Sequence, residues 1–140
     1  QSPVGGIYMS VVHCASKMDT IPLTTDYTTI AGRACAYALK EQLNLDVMLK
    51  PINDLYVDGK KLGGILTETL IHDGQIRALI TGVGINTQPV TLSDENPYQA
   101  ISLSECLPPH QWERFNQDAV VRAVAESITA HYESMMRALN

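Results

Sequence analysis

The sequence predicts an α+β domain: a mixed, largely antiparallel sheet with helices on one of its faces. Three observations lead there. Two Asp-Gly pairs, Asp58-Gly59 and Asp73-Gly74, each join strand-like runs across two residues; both positions of such a turn favour positive φ, so the flanking strands pair as hairpins. Two stretches, Ile30–Leu43 and Val121–Leu139, repeat apolar residues at helical spacing along a single stripe, so each buries one face against something else. The chain has 140 residues, 45% apolar and 18% charged, enough for one packed core.

In chain order, Gln1–Gly6 is a loop marked by Pro3, Gly5 and Gly6. Ile7–His13 is rich in β-branched and aromatic residues and reads as a strand. Ser16–Pro22 is a polar loop that Pro22 closes. Thr24 or Asp26 caps the first helix, whose stripe of Ala31, Ala34, Cys35 and Ala38 is small enough to sit close to a sheet. Asp46–Lys50 is a short strand that Pro51 keeps from continuing as a central one. Leu55–Val57, Lys61–Ile71 and Gln75–Ile85 form a meander, with Gly63-Gly64 interrupting its middle strand. Leu66 and Leu70 fall on one face of that strand, Ile65 and Ile71 on the other. Helices cover one face; the second needs a ligand, a partner subunit or further chain. Thr87–Pro97 is a polar loop. Ser102-x-x-Glu105 matches a capping box that Pro108-Pro109 soon ends, and Asn116 or Asp118 caps the last helix.

Composition excludes several classes. The net charge of -5 argues against a general nucleic-acid surface. The sequence has neither an apolar run long enough to span a membrane nor a signal peptide. Three cysteines, Cys14, Cys35 and Cys106, lack the spacing of a disulfide framework or zinc site and fit a reducing cytoplasm. His13, His72, His110 and His131 lack metal-ligand spacing and are expected on the surface or in loops; no residue is assigned as a metal ligand. Ser104 and Cys106 have no evident base partner, which leaves nucleophilic catalysis unsupported.

The chemistry concentrates in Lys50–Glu68 and Gly82–Asn86. Lys61 begins a strand just after a tight turn, where the sheet holds its side chain; Lys60 points the other way, so one of the two can face a pocket. A fixed ammonium in a partly dry pocket stabilises charge developing on a phosphate or carboxylate oxygen, although an edge lysine that blocks strand aggregation fits the same position. Gly63-Gly64, with Gly82 and Gly84 on a neighbouring strand, makes a floor onto which a flat ring can settle, or a bulge that bends the sheet. Asn53-Asp54, with Lys50, orients a nucleotide or a metal-bound phosphate, or bonds its own backbone.

These segments resemble the catalytic domain of biotin–protein ligases, especially the Gram-positive bacterial type. The carriers of the resemblance are KPIND (Lys50–Asp54), KLGGILTE (Lys61–Glu68) and GVGIN (Gly82–Asn86), together with SPVGGIYMS (Ser2–Ser10) and AISL (Ala100–Leu103). The resemblance implies the sheet-and-helix fold shared with class II aminoacyl-tRNA synthetases, incomplete here, with residues 1–140 as the central and C-terminal part of the ligase catalytic domain. It implies neither a DNA-binding domain nor the C-terminal barrel-like domain in this stretch. It also implies that biotin attacks the α-phosphate of ATP, with Mg²⁺, to give biotinyl-5'-AMP, and that a lysine of a biotin carboxyl carrier domain then takes the biotin.

By motif, Lys61 is implied as the catalytic lysine. Gly64, Ile65, Leu66, Gly82 and Gly84 are implied in biotin binding, and Lys50, Asn53, Asp54 and Asn86 in ATP binding. Two departures stand out. Pro51 and Ile52 replace the family's large residue after the first lysine, and the Gly-Arg-rich loop expected upstream of Ser2 is absent from the sequence. Impaired activity of this chain alone is therefore expected. A homodimer through sheet edges is an expected assembly, without nucleic-acid or membrane partners. Alternatives are a lipoate–protein ligase or octanoyltransferase relative, and a non-catalytic metabolite-binding or dimerising remnant.

Overall fold

The computed structural model describes residues 5–15, 21–22, 25–51, 53–90 and 99–139. Its elements are β1 (Gly6–Cys14), α1 (Tyr27–Leu43), β2 (Met48–Lys50), β3 (Asp54–Val57), β4 (Lys60–His72), β5 (Gln75–Asn86), α2 (Leu103–Cys106), α3 (Pro109–Glu113) and α4 (Gln117–Leu139). The strands form one five-stranded sheet in the order β1-β5-β4-β3-β2, every ladder antiparallel. The parallel component among the described residues is a single bridge between Lys61 and Ala100.

Both Asp-Gly turns take the predicted form, with Asp58, Gly59, Asp73 and Gly74 all at positive φ. The Gly63-Gly64 pair does not interrupt β4, which runs unbroken through it. The irregularity lies one residue earlier. Leu55 pairs Gly63 while Tyr56 pairs Lys61, so Leu62 is an extra residue and drops fully buried into the core.

α1 and α4 pack on the same face of the sheet and on each other. Asp26 is the cap of α1: its carboxylate accepts from the Thr29 N–H at 3.0 Å and from the Thr29 hydroxyl, and these bonds hold its pKa below the usual carboxylate value. The left-handed Asn44 ends the helix, its N–H donating to the Lys40 carbonyl. Ala31, Ala34, Cys35 and Ala38 are buried, and their small size lets the Ser127 hydroxyl of α4 reach the Ala34 carbonyl at 2.7 Å. Asn116 caps α4 through the Ala119 N–H. The buried stripe of α4 includes Val120, Val124, Ile128, Tyr132 and Met136.

Three local expectations are corrected. Ser102 does not cap α2 through the backbone; its hydroxyl donates to the Glu105 carboxylate instead. Pro108-Pro109 starts a further short helix rather than only ending one, because Pro109 occupies the first turn, where an N–H is not needed. His13 lies on β1, as the strand reading has it, but is half-buried rather than on the surface, its ring 5.9 Å from that of Tyr132. The expectations for residues 16–20 and 91–97 lie outside the described residues. Among the described residues, no helix is long and apolar enough to cross a membrane.

Candidate active site

The face of the sheet turned away from α1 and α4 is open. Side chains alternate along each strand, so Tyr8, Ser10 and Val12 of β1, Gly64, Leu66 and Leu70 of β4, and Ile80, Gly82 and Gly84 of β5 share it. A cleft of about 520 Å³ lies here, lined by Tyr8, Ser10, Asn53, Asp54, Lys61, Gly64, Leu66, Gly82 and Gly84 among others. Gly64 stands opposite Gly84 and Leu66 opposite Gly82, so three glycines of four positions leave the floor low.

Each glycine has a different reason. A β-carbon on Gly63 would stand 1.9 Å from the Gly84 carbonyl oxygen, so this position admits glycine alone if the ladder is to close. A β-carbon on Gly64 would have room, its nearest neighbours being the Asn53 carbonyl at 3.6 Å and the Asp54 carboxylate at 3.9 Å; it would project into the cleft. Gly82 is similarly bare. Gly84 is not: the Tyr8 ring, across the ladder from it, lies 3.6 Å from where its β-carbon would be. The same ring lies over Gly6, where a β-carbon would clash at 2.6 Å. Tyr8 therefore lies flat on two glycines as one wall of the cleft. Alternation alone could not single it out, because it does not tell which face of β1 stays uncovered.

Lys61 enters the cleft with a half-exposed side chain, its ammonium 3.2 Å from the Asp54 carboxylate. Its main chain is tied from both sides. The Lys61 N–H donates to the Gln99 carbonyl, and the Lys61 carbonyl accepts from the Ile101 N–H, both at 2.9 Å. The Asn86 amide donates to the Ile101 carbonyl at 3.2 Å and, at 3.5 Å, to that of Lys61. Asn86 thus clamps the segment that seats Lys61 and lines neither of the two clefts. Lys60 is exposed.

A second cleft of about 400 Å³ lies on the helix side of the sheet edge, between the first turns of α1 and the β2–β3 connection. Asp26, Thr28, Thr29, Arg33, Lys50, Asn53 and Asp54 line it. Lys50 also lies over the Tyr56 ring, 4.3 Å from its centre. Asn53, Asp54 and Ile65 border both clefts. The Asn53 carbonyl accepts from the Ile65 N–H at 2.8 Å, which fixes this dipeptide as the wall between them. The arrangement brings Lys61, Asp54, Asn53, Gly64, Ile65, Leu66, Gly82 and Gly84 together, places Lys50 on the far side of the wall, and leaves Asn86 behind Lys61.

Such a site can hold a flat ring on its floor and an anionic group at the ammonium. The model of the biotin/lipoate A/B protein ligase family matches residues 1–86. The chain belongs to this family. Among relatives of the family, the bifunctional ligase/repressor BirA of Bacillus subtilis is 30% identical over 135 residues, 94% of this chain and 39% of that protein. The BirA of Bacillus spizizenii is 27% identical over the same share of each. The chain thus spans about two-fifths of the length of these curated relatives. In three dimensions it is similar to the biotin protein ligase of Aquifex aeolicus in complex with biotin and ATP, with a TM-score of 0.67 at 22% identity over 95% of this chain and 52% of that one. It is likewise similar to Plasmodium falciparum LipL1 in complex with lipoate, with a TM-score of 0.61 at 14% identity over 94% of this chain and 36% of that one. The α+β fold seen here is thus shared with a biotin-bound and a lipoate-bound protein.

Proposed function

We propose that this chain forms the carboxylate-activating part of a biotin–protein ligase: ATP-dependent formation of biotinyl-5'-AMP, followed by transfer of biotin to a lysine of a biotin carrier domain. The observation that carries the reading is the Lys61–Asp54 pair at a cleft floored by glycines; in this reading a fused-ring acid lies on the floor with its carboxylate toward the ammonium. In this reading Gly64, Leu66, Gly82 and the Tyr8 ring receive the bicyclic ring, and Ile65 borders it. A carboxylate oxygen of biotin attacks the α-phosphorus, the bond to pyrophosphate breaks, and Lys61 stabilises the charge gathering on the oxygens between the reactants. The carrier lysine then attacks the acyl carbon, and AMP leaves.

Lys50, Asn53 and Asp54 face the nucleotide in this assignment. Asn86 acts through the Lys61 main chain. A Mg²⁺ ion would come with the phosphates. Among the described residues no cluster of His, Cys, Asp or Glu could hold a metal alone. One carboxylate with phosphate and water oxygens suffices for Mg²⁺, and Asp54 fits that part. The ion would screen phosphate charge.

The test is calorimetry with biotin and with lipoate, paired with biotin-dependent exchange of pyrophosphate into ATP. Biotin should bind in preference to lipoate, and Lys61→Met should slow the exchange by about a hundredfold or more. A preference for lipoate would move the chain to the other branch of the family. Binding of neither acid would end the ligase reading.

A further inference from the structure

Behind the cleft, in a core built mostly of aliphatic and small side chains, lies a closed set of hydroxyls. Tyr132 and Thr81 are fully buried and Thr67 is half-buried. The Tyr132 hydroxyl lies 2.7 Å from that of Thr81 and 2.9 Å from that of Thr67, and the two threonine hydroxyls are 3.0 Å apart. The Tyr132 hydroxyl is also 3.3 Å from the Tyr27 carbonyl, which can only accept, so three hydroxyl protons are shared over four contacts and each hydroxyl donates in one of them. The Thr67 N–H points the same way as that of Ile65, toward β3. β3 has ended by that level, and the Thr28 hydroxyl accepts the bond at 3.0 Å in its place.

The position of this cluster is informative. Thr67 and Thr81 are partners across the β4–β5 ladder, and the adjacent pair, Leu66 and Gly82, is part of the cleft floor. The hydroxyls therefore sit one residue along and on the reverse face. The floor itself is poorly equipped to hold its own register, because glycines offer no side chains to pack and glycine-rich strands slip easily. A one-residue slip of β4 against β5 would turn Thr67 out of the core and break its bonds to Tyr132 and Thr81.

We infer that Tyr132 is a positioning residue: through Thr67 and Thr81 its buried hydroxyl fixes the register and height of the β4–β5 floor beneath the substrate ring, without touching substrate. The part concerning substrate rests on the biotin-ligase reading; the part concerning the floor does not. Tyr132→Phe keeps the ring and removes one oxygen. Thr81→Val removes the hydroxyl from the strand side, and Thr81→Ser keeps it.

In the native protein without ligand, amide hydrogen exchange at Leu66, Thr67, Gly82 and Val83 should speed up by about tenfold relative to Val57 in Tyr132→Phe and Thr81→Val. It should stay near the unaltered protein in Thr81→Ser. Well below the melting midpoint, calorimetric affinity for biotin should fall by about tenfold in the first two variants, while that for ATP changes by less than about threefold. Floor exchange that keeps pace with Val57, or a Thr81→Ser variant that behaves like Thr81→Val, overturns the inference. So does a lower melting midpoint with unchanged biotin affinity. Faster floor exchange in a protein that never bound biotin upholds the role in the floor and rejects the ligase reading. If Tyr132→Phe does not fold, the Thr81 pair decides.

Discussion

On the helix-facing side of the sheet, Ile7, Leu62, Leu79 and Ile85 are at most 2% exposed, whereas on the reverse side Tyr8, Val12, Leu66 and Leu70 are at least 50% exposed. The same strands build both faces. On the first, most inward residues are large side chains that fill space between the sheet and two helices. On the second, several of those places are glycine, and the space they leave is the cleft. Burial of apolar surface stabilises the fold almost entirely from one side. The other side is left free to be concave and to carry a charged pair. Substitutions should therefore separate the two faces: changes on the floor should act on ligands and spare stability, whereas changes behind it should act on stability, and on ligands only where, as at Thr81 and Tyr132, they release the floor.

The sharpest case is the Gly63-Gly64 pair. Gly63→Ala drives a methyl group into the Gly84 carbonyl oxygen and should cost at least about 3 kcal/mol, seen as loss of the cooperative thermal transition. Next in size is Lys61→Met, which should slow adenylate formation by about a hundredfold or more while moving stability by less than about 1 kcal/mol, since the ion pair is half-exposed. Gly64→Ala should leave the melting midpoint in place and weaken acid binding by about tenfold, the scale of one added methyl in a shaped pocket. If Gly64→Ala instead unfolds the protein, or Gly63→Ala is harmless, the two faces are not divided as described.

A smaller effect tests the covered face alone. Burial pushes the Cys35 thiol from 9.0 up to about 12. The unfolded chain therefore ionises first. Below about pH 9 the contribution to stability is fully present, and it is lost as pH rises from there toward 12. Denaturant titrations at pH 8 and pH 10 should show that loss, and Cys35→Ala should reduce it. At pH 8 a thiol reagent should modify the exposed Cys14 in the folded protein and Cys35 only after unfolding. Smallest is Asp26→Ala, which removes the α1 cap and should cost about 1 kcal/mol.

Much of the fold was legible because its signals are local. Asp-Gly turns demand positive φ, and a helix stripe is read within a few turns, so β1, the meander, α1 and α4 follow from neighbours in sequence. The cleft was legible in outline through Lys61, Asp54 and the glycines. What escaped depends on distant contacts. A bulge is one reading of Gly63-Gly64, but that it falls at Leu62 follows from how β3 meets β4. Asn86 ends a recognisable motif, and its neighbours in sequence do not announce its bonds to the Lys61 and Ile101 carbonyls. Tyr132 reads as one more stripe residue until strands 51 and 65 positions away bring hydroxyls to it.

The shared wall at Asn53-Asp54 has one more consequence. Two ligands held on opposite sides of a single dipeptide cannot bind independently if either one shifts it. Whatever factor an occupant of the smaller cleft imposes on affinity in the larger one must be returned in full in the opposite direction. Order of addition would then reflect which cleft fills faster, while the thermodynamic cycle closes through the same two residues.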